Sequence, residues 1–234
     1  MKTEQLSDKD FGIIILHRRV SARNIIFRVK QGQLHISLPT RTTLKTLKEI
    51  LDKKRPQLSR LFSRKNEQYL KPGDIIYMHD FIVCISGECE SRYRSRFADN
   101  TLHIVLPKLD NYNDEQVQQN IARLIRPHLR RAAEEYLPKR LEYWAQITGN
   151  QYQGVVISHG RHRLGVCRSD RRISLSYYLM CLPDRLIDYV ILHELAHLNE
   201  MNHSARFHEI CNRYCQGKES SLRKELRQFP FPIE

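Results

Sequence analysis

Residues 184 to 199 read DRLIDYVILHELAHLN, an apolar helical stretch that carries His193, Glu194 and His197 in its second half. Leu186, Ile187, Val190, Ile191, Leu195 and Leu198 recur at helical spacing and give a broad apolar surface, with Pro183 at the entry. Two histidines four residues apart project from one face of such a helix, so both imidazoles can reach one divalent cation while Glu194 stands beside the open coordination position. Setting His193, Glu194 and His197 into so much apolar surface is costly unless they are paired or coordinated. The fold must therefore bury one side of this helix in a core and turn the His-Glu-His edge toward a cleft. Hydrolysis at a metal ion is the chemistry that fits; a solvated polar edge on an ordinary core helix is the alternative.

A three-ligand site needs one more donor. His203 lies ten residues after His193, about 1000° of rotation on an unbroken helix, which would turn it away from the His193/His197 face. The helix must end first. Asn202 can adopt the left-handed conformation that ends helices, and Ser204 is a good N-cap for a following helix from Ala205 to Cys215, which would swing His203 back. Metzincins space three histidines in the same way but place a glycine where this chain has Glu200. His208 and Glu209, one turn into the next helix, and Glu219 stay open as rival third ligands.

The segment LGVCRSDRRISLSYYLMCLPDRLIDYVILHELAHLNEMNHSARFH resembles the YgjP-like metallopeptidase domain, a relative of the SprT-type zinc peptidases. That family's pattern is a W-G-S-C element, a short strand, a proline before the helix, Y-V-x-x-H-E-L-x-H, and then N-H-S-x-x-F-W. The N-terminal stretch RRVSARNIIFRVKQGQLHISLPTRTTLKTLKEILDKKRPQL is similar to the family's basic opening, so the resemblance covers nearly the whole chain. It implies an α+β fold with a zincin-like catalytic domain, His193, His197 and His203 as ligands of one divalent metal, zinc, and Glu194 as catalytic acid/base. Here the W-G-S-C element is Leu164-Gly165-Val166-Cys167, and F-W is Phe207-His208.

Elsewhere the pattern is coarser. Strand signals at Phe11 to Leu16, Asn24 to Val29 and Leu34 to Leu38 precede Pro39 and an amphipathic helix with Leu44, Leu47, Ile50 and Leu51 on one face. After the turn Lys71-Pro72-Gly73-Asp74 come strands at Ile75 to Met78, Phe81 to Ser86 and Thr101 to Leu106. Residues 1–110 are thus expected to form a β-rich accessory domain. A polar turn at Leu109 to Asp114, with Asn113 as N-cap, then opens a helical region to Ile147, interrupted at Pro127 and Pro138, so that residues 111–150 link the halves and pack on the core. Residues 151–234 form the catalytic part, with strands at Val155 to Ser158 and Ile173 to Tyr178, the His helix, the helix after Ser204 and a last helix near Ser221 to Gln228.

A chain of 234 residues with 41% hydrophobic content can bury one large core or two small ones. It has no apolar run of membrane-spanning length, and IIIL at residues 13–16 is too short for a signal segment, so a cytoplasmic location is expected. The six cysteines (Cys84, Cys89, Cys167, Cys181, Cys211, Cys215) contain no C-x-x-C and read as reduced thiols.

The net charge of +13 favours anionic partners: nucleotides, nucleic acid or acidic proteins. Arg161, Arg163, Arg168, Arg171 and Arg172, with His159 and His162, cluster just before the His helix. In zincin peptidases that strand runs along the substrate, so the resemblance puts Arg168, Arg171 and Arg172 at the mouth of the site as substrate contacts; the alternative is a solvated loop. Three functions compete: a zinc-dependent peptidase acting on peptides or proteins, a nucleoside triphosphate pyrophosphatase using the same metal site, and a nucleic-acid-binding module with a non-catalytic metal. An intact Glu194 argues against the last, because a structural site needs no base and takes four protein ligands.

Overall fold

The computed structural model describes residues 2–30, 33–67, 69–89, 92–108 and 111–233. Among the described residues it contains five α-helices and three small mixed sheets, an α+β fold. The chain divides into two compact units, Met1–Lys71 with Leu109–Asn120, and Pro72–Lys108 with Ile121–Glu234.

In the first unit, β1 (Lys2–Asp8), β2 (Gly12–Arg19), β3 (Ile26–Lys30) and β4 (Gln33–Pro39) form a sheet in the order β1-β2-β4-β3, with β2 and β4 parallel. Alternation along the strands sends Ile14 and Leu16 of β2 and Leu34, Ile36 and Leu38 of β4 into one core with Leu47, Leu51 and Leu58 of α1 (Leu44–Glu67). Arg55 of α1 grips Asp8 with two hydrogen bonds, Nη1 to Oδ1 at 2.9 Å and Nη2 to Oδ2 at 3.0 Å. This guanidinium holds the Asp8 carboxyl at a pKa of about 2.

The second unit carries two sheets. β5 (Ile75–Tyr77), β6 (Ile82–Cys89), β7 (Arg94–Ala98) and β8 (Thr101–Pro107) are ordered β5-β6-β8-β7. This sheet groups with the His helix and not with the first sheet. The smaller sheet, β10-β11-β9, comprises β9 (Gly154–Ser158), β10 (Gly165–Cys167) and β11 (Arg172–Ser176), with β9 and β11 parallel and β10 antiparallel on the edge. Where the sequence suggested strand to Tyr178, a 3₁₀ turn takes over at Tyr177–Cys181, capped by Ser176, whose Oγ accepts from the Tyr178 N–H.

α2 (Glu115–Thr148) is continuous, which corrects the expected breaks at Pro127 and Pro138. Ile121, Ile125, Leu129, Ala133, Leu137, Leu141 and Ala145 recur every four residues and are all buried. That packing outweighs the lost bonds, while Pro127 lies on the exposed side, where water can reach the carbonyl it leaves unbonded. Its N-cap is Asp114, whose Oδ1 accepts from the Gln116 N–H at 2.7 Å, rather than Asn113. Leu109 and Asp110 of the expected polar turn lie outside the described residues.

α3 (Asp184–His197), α4 (Ala205–Tyr214) and α5 (Glu219–Gln228) complete this unit. α3 is pinned at two points. Asp184 receives His79 Nε2 at 2.6 Å and the Tyr136 hydroxyl at 3.3 Å. One turn on, Asp188 accepts a bidentate pair from Arg140 of α2, both bonds 2.6 Å, and the Trp144 indole N–H at 2.7 Å. No α-helix among the described residues is long and apolar enough to cross a membrane.

Candidate metal centre

α3 stops at His197 because the chain tightens there: Leu198 N–H returns to the Leu195 carbonyl at 3.2 Å, and Asn199 and Glu200 N–H both return to that of Ala196. The turn-back differs from the expected one. Asn202 does not enter the left-handed region; its carbonyl accepts the Ser204 N–H at 2.8 Å. Ser204 then caps α4, its Oγ accepting from the Phe207 N–H at 3.3 Å.

This turn brings His203 back to the His193/His197 edge. One ring nitrogen from each of His193, His197 and His203 lies within 4.8 Å of the other two. His193 Nε2 and His203 Nε2 are 3.2 Å apart, two nitrogens facing each other. His197 turns Nδ1 to the Glu200 carbonyl at 3.1 Å, which leaves Nε2 for the cluster and fixes the ring from behind. All three rings rest on Phe207, fully buried, at centroid distances of 4.8, 4.4 and 4.8 Å.

Burial and the neighbouring imidazoles push His193 down to about 3, and burial lowers His197 as well. At neutral pH both rings are unprotonated and offer lone pairs with no proton to displace. Glu194 is 4% exposed. Burial raises its carboxyl to about 7, opposed by the backbone N–H of Cys167. Its Oε2 is buried without a protein partner, a polar atom that a bound cation or water would satisfy. Three converging imidazoles and an unsatisfied carboxylate suit a borderline-soft divalent cation with an open position.

Gly165 of β10 explains how the carboxylate fits. A Cβ there would stand 2.6 Å from Glu194 Cγ and 2.7 Å from Cδ, so only glycine lets the strand pass over the helix at this point. The Gly165–Glu194 contact, the Phe207 platform and the Asp188 anchor were not singled out from the sequence. The glycine in the L-G-V-C element was the one local sign of a close approach.

The rival ligands lie elsewhere. Glu209 is exposed. His208 and Glu219 pair with each other, Nδ1 to Oε1 at 3.3 Å, and among the described residues neither joins the metal-sized group. Cys167, Cys181, Cys211 and Cys215 are buried and free, and burial raises Cys167 to about 11. Arg168 and Arg171 are exposed on the β10–β11 connection, and Arg172, also exposed, opens β11. Arg171 takes a positive φ of 63° in the turn, and its guanidinium donates to the Gln151 carbonyl, Nε at 3.1 Å. Arg172 Nε lies 3.7 Å from Asp170.

No curated protein matches the chain. The crystal structure of the metallopeptidase zymogen abylysin of Pyrococcus abyssi is similar at 23% identity over 39% of this chain and 93% of its own, with a TM-score of 0.34. The family model described as YgjP-like, metallopeptidase domain, matches residues 23–229, which takes in both sheets of the second unit and every residue of the His-Glu-His-His constellation. The chain belongs to the YgjP-like metallopeptidase family.

Proposed function

We propose that this metallopeptidase is zinc-dependent, that His193, His197 and His203 hold one ion, and that Glu194 is the general base and acid. The observation that carries the reading is the convergence of three imidazole nitrogens within 4.8 Å beside a buried carboxylate with an unsatisfied oxygen. When bound there, the ion supplies Lewis acidity, lowering the pKa of water to about 7 and polarising a carbonyl.

The remaining work falls to the chain. Glu194 takes the proton of the attacking water and passes it to the leaving amine nitrogen, a transfer worth about 10²–10⁴ in rate. β10 sits at the sheet edge beside Glu194, which engages the Cys167 N–H; the remaining outer N–H and C=O groups of β10 can pair with an extended peptide and lay the scissile bond over the carboxylate. Arg168, Arg171 and Arg172 follow β10 and would draw acidic stretches of a substrate toward it.

The test is a parallel assay of zinc-loaded wild type and Glu194→Gln against a peptide library and a panel of nucleoside triphosphates. Peptide cleavage by wild type, lost at least about 100-fold in a fully metallated Glu194→Gln, supports the reading. Triphosphate hydrolysis without peptide cleavage, or a Glu194→Gln protein as fast as wild type, sinks it.

A further inference from the structure

Strands β1 to β8 repeat one plan. β5-β6-β8-β7 has the strand order of β1-β2-β4-β3, β6 and β8 run parallel as β2 and β4 do, and each sheet is followed by a long helix, α1 or α2. The sequence repeats with the topology. Arg28 and, six residues on, Leu34-His35-Ile36-Ser37-Leu38-Pro39 return without a gap as Arg96 and Leu102-His103-Ile104-Val105-Leu106-Pro107. Arg55-Pro56-x-Leu58-x-Arg60 of α1 returns in α2 as Arg126-Pro127-x-Leu129-x-Arg131.

Packing accounts for part of this repeat. Leu34, Ile36 and Leu38 of one copy and Leu102, Ile104 and Leu106 of the other are buried on the inner faces of their sheets. His35 and His103 alternate with them and face the other way. Directly opposite these histidines on the neighbouring strand stand Arg28 and Arg96, Arg28 paired with His35 and Arg96 with His103. No core requires an imidazole and a guanidinium at outward positions, yet both copies carry them.

Both outer faces are open. Arg28, Arg96 and His103 are exposed, and Ile26 on the first face and Tyr77 on the second keep 45% and 74% of their surface free. Among the described side chains that the strand pairing sends outward, neither face carries an acid. On the first face His17 Nε2 and His35 Nδ1 lie 3.0 Å apart, and their ring planes differ by 15°. The 5.3 Å between ring centroids is that bond plus the two ring radii, so the imidazoles meet edge to edge as one nearly flat surface. A basic face free of acids and set with planar rings matches a polyanion that carries flat groups. Nucleic acid has both, and only unpaired bases expose their faces for stacking. An acidic peptide would use the charge and leave the rings idle.

We propose that the open face of each sheet binds a short single strand of nucleic acid. Bases stack on His17 and His35 in the first sheet and on Tyr77 and His103 in the second, while Arg28 and Arg96 hold phosphates. A four-stranded face takes two or three stacked bases in this way. The binding calls for no metal and is separate from the hydrolytic chemistry above.

Calorimetric titration of the full chain with hexathymidylate counts the sites, and a salt series counts the phosphate contacts. Wild type should bind two strands per chain. Arg28→Gln and Arg96→Gln should each weaken one of the two sites about tenfold at about 0.05 M salt and leave the other unchanged, and the double variant should weaken both. At each weakened site the slope of log K against log salt should become shallower by about 0.7, the value for one phosphate contact on a single strand. Tyr77→Ala combined with His103→Ala should weaken one site at least about fivefold with its slope unchanged, which separates stacking from charge. Lys45→Gln with Lys48→Gln removes equal charge from exposed positions of α1 and should leave both affinities within about twofold.

The inference is overturned if wild type binds no hexathymidylate, or if the Lys45/Lys48 variant loses as much affinity as the Arg28/Arg96 variant. Hexaglutamate binding as tightly as hexathymidylate overturns it too, since charge alone would then suffice and the partner would be an acidic protein. So does sedimentation showing a wild-type dimer that the Arg28/Arg96 variant breaks, because the faces would then be covered by a second copy of the chain.

Discussion

Replacing Gly165 by alanine drives a methyl group into the space of the Glu194 side chain. The new Cβ would lie 2.6 Å from Cγ and 2.7 Å from Cδ, where carbon atoms in contact sit at about 3.5–4.0 Å, so the carboxylate has to retreat by about 1 Å. Gly165 does not have a positive φ, so alanine adds no backbone strain and the collision is the whole perturbation. The strand has little room to yield because its other side is paired with β11 through Leu175. Overpacking of this kind costs about 1–3 kcal/mol. That should lower the melting temperature by several degrees, at about 2–4 °C per kcal/mol for a unit of this size. Activity should suffer far more, because displacing a reacting group by about 1 Å costs about 10²-fold. Steady-state peptide cleavage, zinc content and thermal melting are measured on the same preparations. The expected result is a kcat loss near 10²-fold with full metal occupancy and a folded protein. A Gly165→Ala enzyme within about threefold of wild type would refute the argument that this glycine sets the working position of Glu194.

Other consequences follow from the anchors and charges. Asp188→Asn removes the charge that accepts Arg140 and Trp144, and chemical denaturation should show a loss of about 2 kcal/mol, the pair being only partly buried. The Asp8–Arg55 pair stabilises the first unit above pH 3.8, the ordinary Asp8 value, and this contribution fades as pH falls toward about 2, where the folded-state carboxyl takes up its proton. Stability curves of wild type and Asp8→Asn should therefore differ by about 1 kcal/mol at pH 6 and converge only below about pH 2; curves that stay parallel would show the pair contributes nothing. Alanine at Arg168, Arg171 and Arg172 together should raise KM for an acidic peptide, with the difference from wild type shrinking as salt increases and zinc content unchanged.

The His helix was legible because its signal is local: the apolar spacing, Pro183 and the i,i+4 histidines are all within one stretch, and the observed Asp184–His197 is two residues shorter than read. The return of His203 also followed from local rules, since Ser204 caps α4 as its residue type suggests, although Asn202 closes the turn without a left-handed conformation. Three strands were missed, β1, β7 and β10, and each is one of the two edges of its sheet. An edge strand buries few side chains; β7 is exposed over Arg94 to Phe97, so it carries no alternating pattern to read. The prolines of α2 misled in the opposite direction, because a local penalty was overridden by a seven-residue stripe of burial. Gly165 against Glu194 and Glu219 against His208 join residues 29 and 11 positions apart, contacts that only the packed chain creates.

The central claim is that His193, His197 and His203 together hold one divalent ion. Zinc titration of the metal-free protein, paired with X-ray absorption at the zinc edge, tests it directly in wild type and His203→Ala. One zinc per chain is expected in wild type, with three imidazole nitrogens at about 2.0–2.1 Å. His203→Ala should bind at least about 100-fold more weakly and lose one nitrogen from the shell. Equal stoichiometry, affinity and nitrogen count in the two proteins would contradict the account.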